Sequence, residues 1–159
     1  MRLLIPALIV LAACAPTPPT VVGRASVIDG DTLEIHGRRI RLWGVDAPEG
    51  RQVCDDAHGS RYACGRLAAK RLDQRLQDKT VACFEDDVDR YGRMVARCEI
   101  DRADVGAWLG RQGLAVRYAR YAGGAYVVEE AAARQERLGI WAGRFIAPED
   151  WRRARRGGA

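Results

Sequence analysis

The sequence predicts a mixed α+β fold dominated by strands, and three observations predict it. Apolar and polar residues alternate from Val21 onward, the spacing turns helical between Arg61 and Gln77, and two further alternating segments follow at 81–84 and 94–98. Five strands with one helix among them suggest a small barrel. The length agrees: 159 residues, 48% apolar and 30% charged, suffice for one packed domain and are too few for two ordinary ones. That composition rules out disorder as a description of the whole chain.

The elements follow in order. The only long apolar run, Leu3 to Ala13, has 11 residues, against the roughly 20 a helix needs to cross a bilayer, which excludes a multi-span membrane protein. Arg2 supplies a minimal positive n-region, and Leu11-Ala12-Ala13-Cys14 closes the apolar run with small residues before a cysteine. Residues 1–13 therefore read as an export signal. The placement of Cys14 resembles a bacterial lipoprotein signal, in which cleavage leaves the cysteine as the lipid-bearing first residue. An ordinary secretory peptide is the alternative. The expected location is the cell envelope, with a membrane anchor through lipid on Cys14, or else the medium. Residues 14–20 hold three prolines and read as a stiff tether. Loss of 13 residues from 159 would leave 146, and the departure of Arg2 would lower the net charge from +5 to +4.

From Val21 to Ile28, then at Leu33 and Ile35, then from Ile40 to Trp43, the pattern is that of three short strands in a meander, turning at His36-Gly37-Arg38. Between Arg61 and Gln77, Ala68, Leu72 and Leu76 fall four apart on one helical face. Val81–Phe84 and Met94–Cys98 read as two more strands, joined by the acidic, turn-prone Glu85 to Gly92. Asp104 is placed to N-cap a helix carrying Val105, Trp108 and Leu109 inward, and Gly113 to end it in the left-handed conformation. A last helix runs from about Tyr126 to Leu138 and stops at Gly139. The domain proper is read as 21–151, followed by a basic tail at 152–159 that reads either as a solvated end or as a phosphate or lipid-headgroup contact.

Export sets the reading of the cysteines. Apart from Cys14, the chain has Cys54, Cys64, Cys83 and Cys98, an even set suited to an oxidising compartment. Four cysteines allow three pairings; Cys54 with Cys64 and Cys83 with Cys98 are favoured because each joins segments close in sequence. The spacings are not those of a zinc module, and His36 and His58 stand apart as surface loop residues. The basic residues are uneven in kind. Only Lys70 and Lys79 are lysine, and the other 24 are arginine, whose forked guanidinium grips phosphate at two points. A GC-rich coding sequence would produce the same bias.

The residues suited to chemistry cluster in order: Asp29-Gly30-Asp31-Thr32, then Arg41, then Asp46-Ala47-Pro48-Glu49, then Asp89-Arg90-Tyr91-Gly92-Arg93. In a meander, the start of the second strand lies beside the end of the third, so Asp31 and Asp46 would face one another. Carboxylates gathered so closely repel unless a cation or proton sits between them, and all-oxygen ligands favour calcium or magnesium over zinc or copper. Glu49, just past Pro48, is placed to orient or deprotonate a water. Arg41 and Arg93 would hold a phosphate from two sides, where attack accumulates negative charge on oxygen. The reaction class this suggests is metal-assisted hydrolysis of a phosphate ester. Taken singly, each segment also fits a plain structural role: Asp-Gly is a common turn, and Asp89 to Arg93 would serve as a hairpin loop. Their joint occurrence points to chemistry.

The same residues resemble the staphylococcal-nuclease-like, or thermonuclease, family. The resemblance runs from about Val21 to Trp151 and rests on Val27–Thr32, Arg41–Glu49, Asp89–Arg93, Arg111-Gln112-Gly113-Leu114-Ala115 and Leu138-Gly139-Ile140-Trp141. It implies a five-stranded OB-type barrel with three helices and a calcium-dependent endonuclease acting on DNA and RNA, single strands preferred, as a monomer. By position, Asp31 and Asp46 match the family's Ca2+ carboxylates and Ala47 its carbonyl ligand. Arg41, Glu49 and Arg93 match its catalytic trio, the glutamate assisting the attacking water and the arginines stabilising the pentacoordinate phosphate, with release of 3'-phosphate ends. Arg90 and Tyr91 match contacts to a second phosphate, and Tyr121 one of two base-stacking tyrosines. The other stacking position falls on Ala119, with Tyr118 one residue away. Ala47 stands where the best-known member has threonine, and the Cys54–Cys64 segment replaces a lysine-rich loop, narrowing the groove or hardening the protein. A non-catalytic OB domain that binds nucleic acid is the competing function, against which intact Glu49 and Arg93 count.

Overall fold

A computed structural model of the chain describes residues 17–157. The expected signal at 1–13 and Cys14 lie outside the described residues. The fold is mixed α+β with strands predominant. Its main sheet is built from β1 (Val21–Gly23), β2 (Ser26–Asp29), β3 (Thr32–Ile35), β4 (Arg38–Leu42), β8 (Val81–Val88) and β9 (Met94–Ile100), in the order β1-β8-β9-β4-β3-β2, with β10 (Ala103–Asp104) added on β9. Four two-residue strands lie elsewhere: β5 (Val45–Asp46) pairs with β11 (Val116–Arg117), and β6 (Cys54–Asp55) with β7 (Arg61–Tyr62).

The single strand expected at 21–28 is thus two strands, and they occupy opposite edges of the sheet. Only Arg24 and Ala25 separate them. Three Cα–Cα steps span at most about 11 Å, so the sheet must roll until its edges almost meet. This is the OB-type curvature, although the pairing among the described strands forms an open path rather than a ring.

Alternation assigns the faces. Leu33, Ile35, Ile40 and Leu42 are buried, as are Met94, Ala96, Cys98 and Ile100, and together they form the core with Val81 and Cys83. Because strand side chains alternate sides, Arg41 between Ile40 and Leu42, and Arg93 and Val95 flanking Met94, go to the other face. Strands β4 and β9 run parallel with Arg41 opposite Val95. The two arginines therefore project from one face of adjacent strands, one register step apart.

Helix α1 (Cys64–Leu76) closes one end of the core with Ala68, Leu72 and Leu76, as its spacing predicts. It begins three residues later than the pattern suggested, because Arg61 and Tyr62 are drawn into the ribbon with Cys54 and Asp55. Helix α2 (Val105–Arg111) starts at Asp104, whose carboxylate accepts from the Ala107 amide at 2.9 Å, and ends before Gly113 at φ +63°. A Cβ at Gly113 would also overlap the Leu138 carbonyl. The described residues hold five α-helices, not three. Besides α1 and α2 there are α3 (Ala119–Ala122), α4 (Val127–Gln135) and α5 (Pro148–Gly157), with a 3-10 turn at Gly139–Ala142 after α4. Helix α4 ends at Gln135, short of the expected Leu138, because Arg137 at φ +54° takes the left-handed conformation and the Leu138 amide turns back to the Ala133 carbonyl; Gly139 at φ +55° opens the 3-10 turn.

Both favoured disulfides are formed, Cys54–Cys64 and Cys83–Cys98. The second staples β8 to β9, where the two residues are directly paired. The first anchors a small second core with Ile140, Tyr62, Trp141 and Phe145. Each closes a short loop worth ~3 kcal/mol in the chain-entropy account. His36 and His58 are exposed, as expected.

Candidate active site

The site is assembled where the β2–β3 turn, β4 and the loop after β5 meet. Asp31 precedes β3, and its Oδ2 accepts from the Ala47 amide at 2.8 Å. Asp46 belongs to β5, which pairs with β11 rather than with the meander, so the two aspartates are not brought together by adjacent strands as expected. Arg41 joins them: its guanidinium forms an ion pair with Asp31 and another with Asp46 at 2.8 Å. Both carboxylates are buried, 3% and 1% exposed.

Burial by itself would raise the Asp31 carboxyl, but the Arg41 charge and the Ala47 amide together hold it below the usual carboxylate range. Asp29 has no such cation. Burial, followed by the charge of Asp31, pushes it up to about 6. Arg41 is itself buried, yet its two carboxylate partners outweigh desolvation and keep it firmly charged.

Glu49 lies on the loop after β5. A Cβ at Gly65 would overlap the Glu49 carbonyl, so glycine in the first turn of α1 lets the helix press directly on this loop. From the other side, the fully buried Gln52 accepts from the Glu49 amide at 3.2 Å through its Oε1.

Asp29, Asp31, Arg41, Ala47, Glu49 and Arg93 line one cleft of about 720 Å³. Asp46 lies beneath its floor. Arg93 is held by Asp89, its Nε donating at 2.8 Å, while the Tyr91 and Arg93 amides both donate to Asp89 Oδ1. The hairpin loop thus aims Arg93 into the cleft without tying it to the acidic pair. Arg90, the exposed Tyr91, Tyr118 and Tyr121 continue the lining. Neither Cys54 nor Cys64 lines it, so that bridge hardens the surrounding loop and does not narrow the groove.

This arrangement has a match among known proteins: the profile described as Staphylococcal nuclease homologue covers residues 39–143. The chain belongs to that family. Among its relatives are the succinoglycan biosynthesis protein ExoI of Rhizobium meliloti (strain 1021), 43% identical over 123 residues that make up 76% of this chain and 64% of that protein, so the chain spans less than two thirds of that relative. The micrococcal nuclease of Shigella flexneri is 34% identical over 146 residues, 80% of this chain and 78% of its own. Protein ParB of Escherichia coli is 31% identical over 166 residues, 92% and 88% of the two chains.

In this staphylococcal nuclease homologue the tyrosine packed beside Tyr121 is Tyr118, the residue before Ala119. Its ring lies 5.0 Å from that of Tyr121 and lines the cleft, which Ala119 does not. The residue that the sequence reading missed is Arg152. The stretch read as a tail from 152 is the body of α5, and Arg152 donates to Asp46 Oδ1 and Oδ2, each at 2.9 Å, and to Glu49 Oε1 at 2.7 Å. The sequence holds a signal for this helix that the tail reading passed over, since Pro148 with Glu149 and Asp150 makes a sound first turn. For its partner it holds none.

Proposed function

We propose that the protein is a calcium-dependent endonuclease that hydrolyses phosphodiester bonds of DNA and RNA and releases 3'-phosphate ends. Membership of the family and its nuclease-named relatives support a hydrolase of the nuclease type. The observation that carries the proposal is the gathering of Asp31, Arg41, Glu49 and Arg93 in a single cleft over buried Asp46.

The donor set fits a hard divalent ion. The cleft-lining residues include carboxylates but no histidine or cysteine; among the described residues no group of three or more Asp, Glu, His or Cys side chains is placed to hold a metal ion, so the ion would rest on two carboxylates and a backbone carbonyl. Asp31, Asp46 and the Ala47 carbonyl would hold calcium. Asp46 accepts three N–H bonds of the roughly four that a carboxylate offers, so it keeps a lone pair for the ion. When bound, calcium supplies positive charge next to the reacting phosphate.

The chain's own residues do the rest. Glu49 accepts a proton from water as the water oxygen bonds to phosphorus. Arg41 and Arg93 donate to the non-bridging oxygens as negative charge builds there. The bond from phosphorus to the 5' oxygen then breaks, and that oxygen takes a proton from solvent water and leaves as a hydroxyl. Tyr118, Tyr121 and Tyr91 offer faces for the unstacked bases of a single strand, and Arg90 offers charge to a neighbouring phosphate. Purified protein lacking residues 1–14 is expected to cut single-stranded DNA in the presence of calcium and to stop on addition of chelator. Binding without cutting would leave a non-catalytic OB-type binding domain.

The enzyme is proposed to act as a monomer outside the cytoplasm, anchored through lipid on Cys14. The support is the 11-residue apolar run ending in Leu-Ala-Ala-Cys, together with two disulfides suited to an oxidising compartment. Cys14→Ser should move the protein from the membrane fraction to the soluble fraction; retention in the membrane would reject the anchor.

A further inference from the structure

Helix α5 lies beyond the residues that the family profile covers, 39–143, yet it supplies one wall of the cleft through Glu149, Arg152 and Arg156. We propose that Arg152 is a positioning residue of the hydrolytic site, which fixes the Glu49 carboxylate against buried Asp46 so that one oxygen of Glu49 faces the attacking water. This proposal rests on the reading of Glu49 as the proton acceptor.

Glu49 needs such a partner. It stands on a loop, its side chain is 34% exposed, and among the described residues its carboxylate bonds to Arg152 alone, through Oε1 at 2.7 Å. Among the described residues Oε2 makes no hydrogen bond, which leaves it free to take a proton. Immobilising a glutamate side chain costs rotamer entropy. Arg152 meets that cost with the fold's energy, before substrate arrives.

Arg152 is in turn well referenced. Its fork grips both oxygens of Asp46, which is 1% exposed and also accepts from Arg41 at Oδ1. One nitrogen, Nη1, is shared between Asp46 Oδ1 and Glu49 Oε1, so the distance between the two carboxylates is set by a single planar group. Its helix is tied to the same loop by a second link. Gln52, which accepts from the Glu49 amide, donates through Nε2 to the Ile146 carbonyl at 2.6 Å, just before α5. One wholly buried side chain therefore locks the base-bearing loop to the segment that delivers the arginine. A lysine would offer a point charge to one carboxylate at a time and would not reproduce the shared fork.

The test is a double-mutant cycle on a single-stranded oligonucleotide with calcium, reading kcat, KM and the melting temperature of Arg152→Ala, Arg152→Lys, Glu49→Gln and the double variant Arg152→Ala with Glu49→Gln. Misplacing a reacting group by about 1 Å costs ~10²-fold, so Arg152→Ala is expected to lower kcat by about 10- to 100-fold with little change in KM. Added to Glu49→Gln it should cost nothing further, because the group it positions has already lost its basicity. Arg152→Lys keeps a charge beside Asp46 and so protects the fold; it should still lose kcat at an unchanged melting temperature. Independent losses that multiply in the double variant, a change confined to KM, or an unchanged kcat in both Arg152 variants would overturn the positioning role. Full activity in Glu49→Gln would instead overturn the reading of Glu49 itself, and this proposal with it.

Discussion

Replacing Glu49 by glutamine is expected to lower kcat by about 10²- to 10⁴-fold, the range for loss of a general base, while leaving KM and the melting temperature close to their original values. The substitution is nearly isosteric. The amide oxygen of glutamine still accepts from Arg152, so the contact at 2.7 Å and the packing of the loop on α1 are retained. What is lost is the ability to take a proton from water at neutral pH. Glu49 is partly exposed and does not belong to the buried acidic pair, so folding stability has little reason to change. Steady-state cleavage of a labelled single strand, with thermal melting alongside, separates the two effects. An unchanged kcat would remove Glu49 from the chemistry, and a large fall in melting temperature would show that its role is structural.

Arg41→Ala is expected to act on stability as strongly as on turnover. The guanidinium is the ion-pair partner of Asp31 and one of two for Asp46, and both carboxylates are buried. Removing one member of a buried ion pair leaves an uncompensated charge and costs about 3–5 kcal/mol. The pH dependence follows from Asp31, whose carboxyl is held below the usual range. A carboxyl depressed in the folded state contributes stability that is fully present above the ordinary aspartate value and is lost as pH falls through the depressed one. Without Arg41 that contribution disappears. The stability gap between wild type and variant should therefore be widest near pH 7 and narrow below about pH 4. Urea unfolding of both proteins in chelator across that range measures it. A gap under about 1 kcal/mol at pH 7, or one that ignores pH, would show that the Arg41 contacts are not the support described.

Arg41 is legible in the sequence through strand alternation. Ile40 and Leu42 are apolar and Arg41 is not, so a strand that buries the first two must turn the arginine to the opposite face. The argument repeats at Arg93 beside Met94. The two disulfides were readable from short separations of 10 and 15 residues. Less was legible where partners are distant. The division of 21–28 into strands for opposite sheet edges leaves no mark in the alternation, because both halves alternate alike. Asp46 was expected opposite Asp31 on a neighbouring strand; it lies instead on a separate ribbon with β11, and Arg41 bridges the two. Tyr118, the residue before α3, packs beside Tyr121, whereas the resemblance points to Ala119.

Periodicity and cysteine spacing thus sufficed for the class of fold, for which arginines leave the core and for the two disulfides, since each depends on neighbours close in sequence. The Arg152 contacts came only from packing. They span 106 residues to Asp46 and 103 to Glu49, and a pairing over that distance imposes no repeat on the chain. A run of arginines looks the same in sequence whether it meets water or two carboxylates. The rolled sheet, the second disulfide-anchored core and the buried amide of Gln52 together decide which of them it meets.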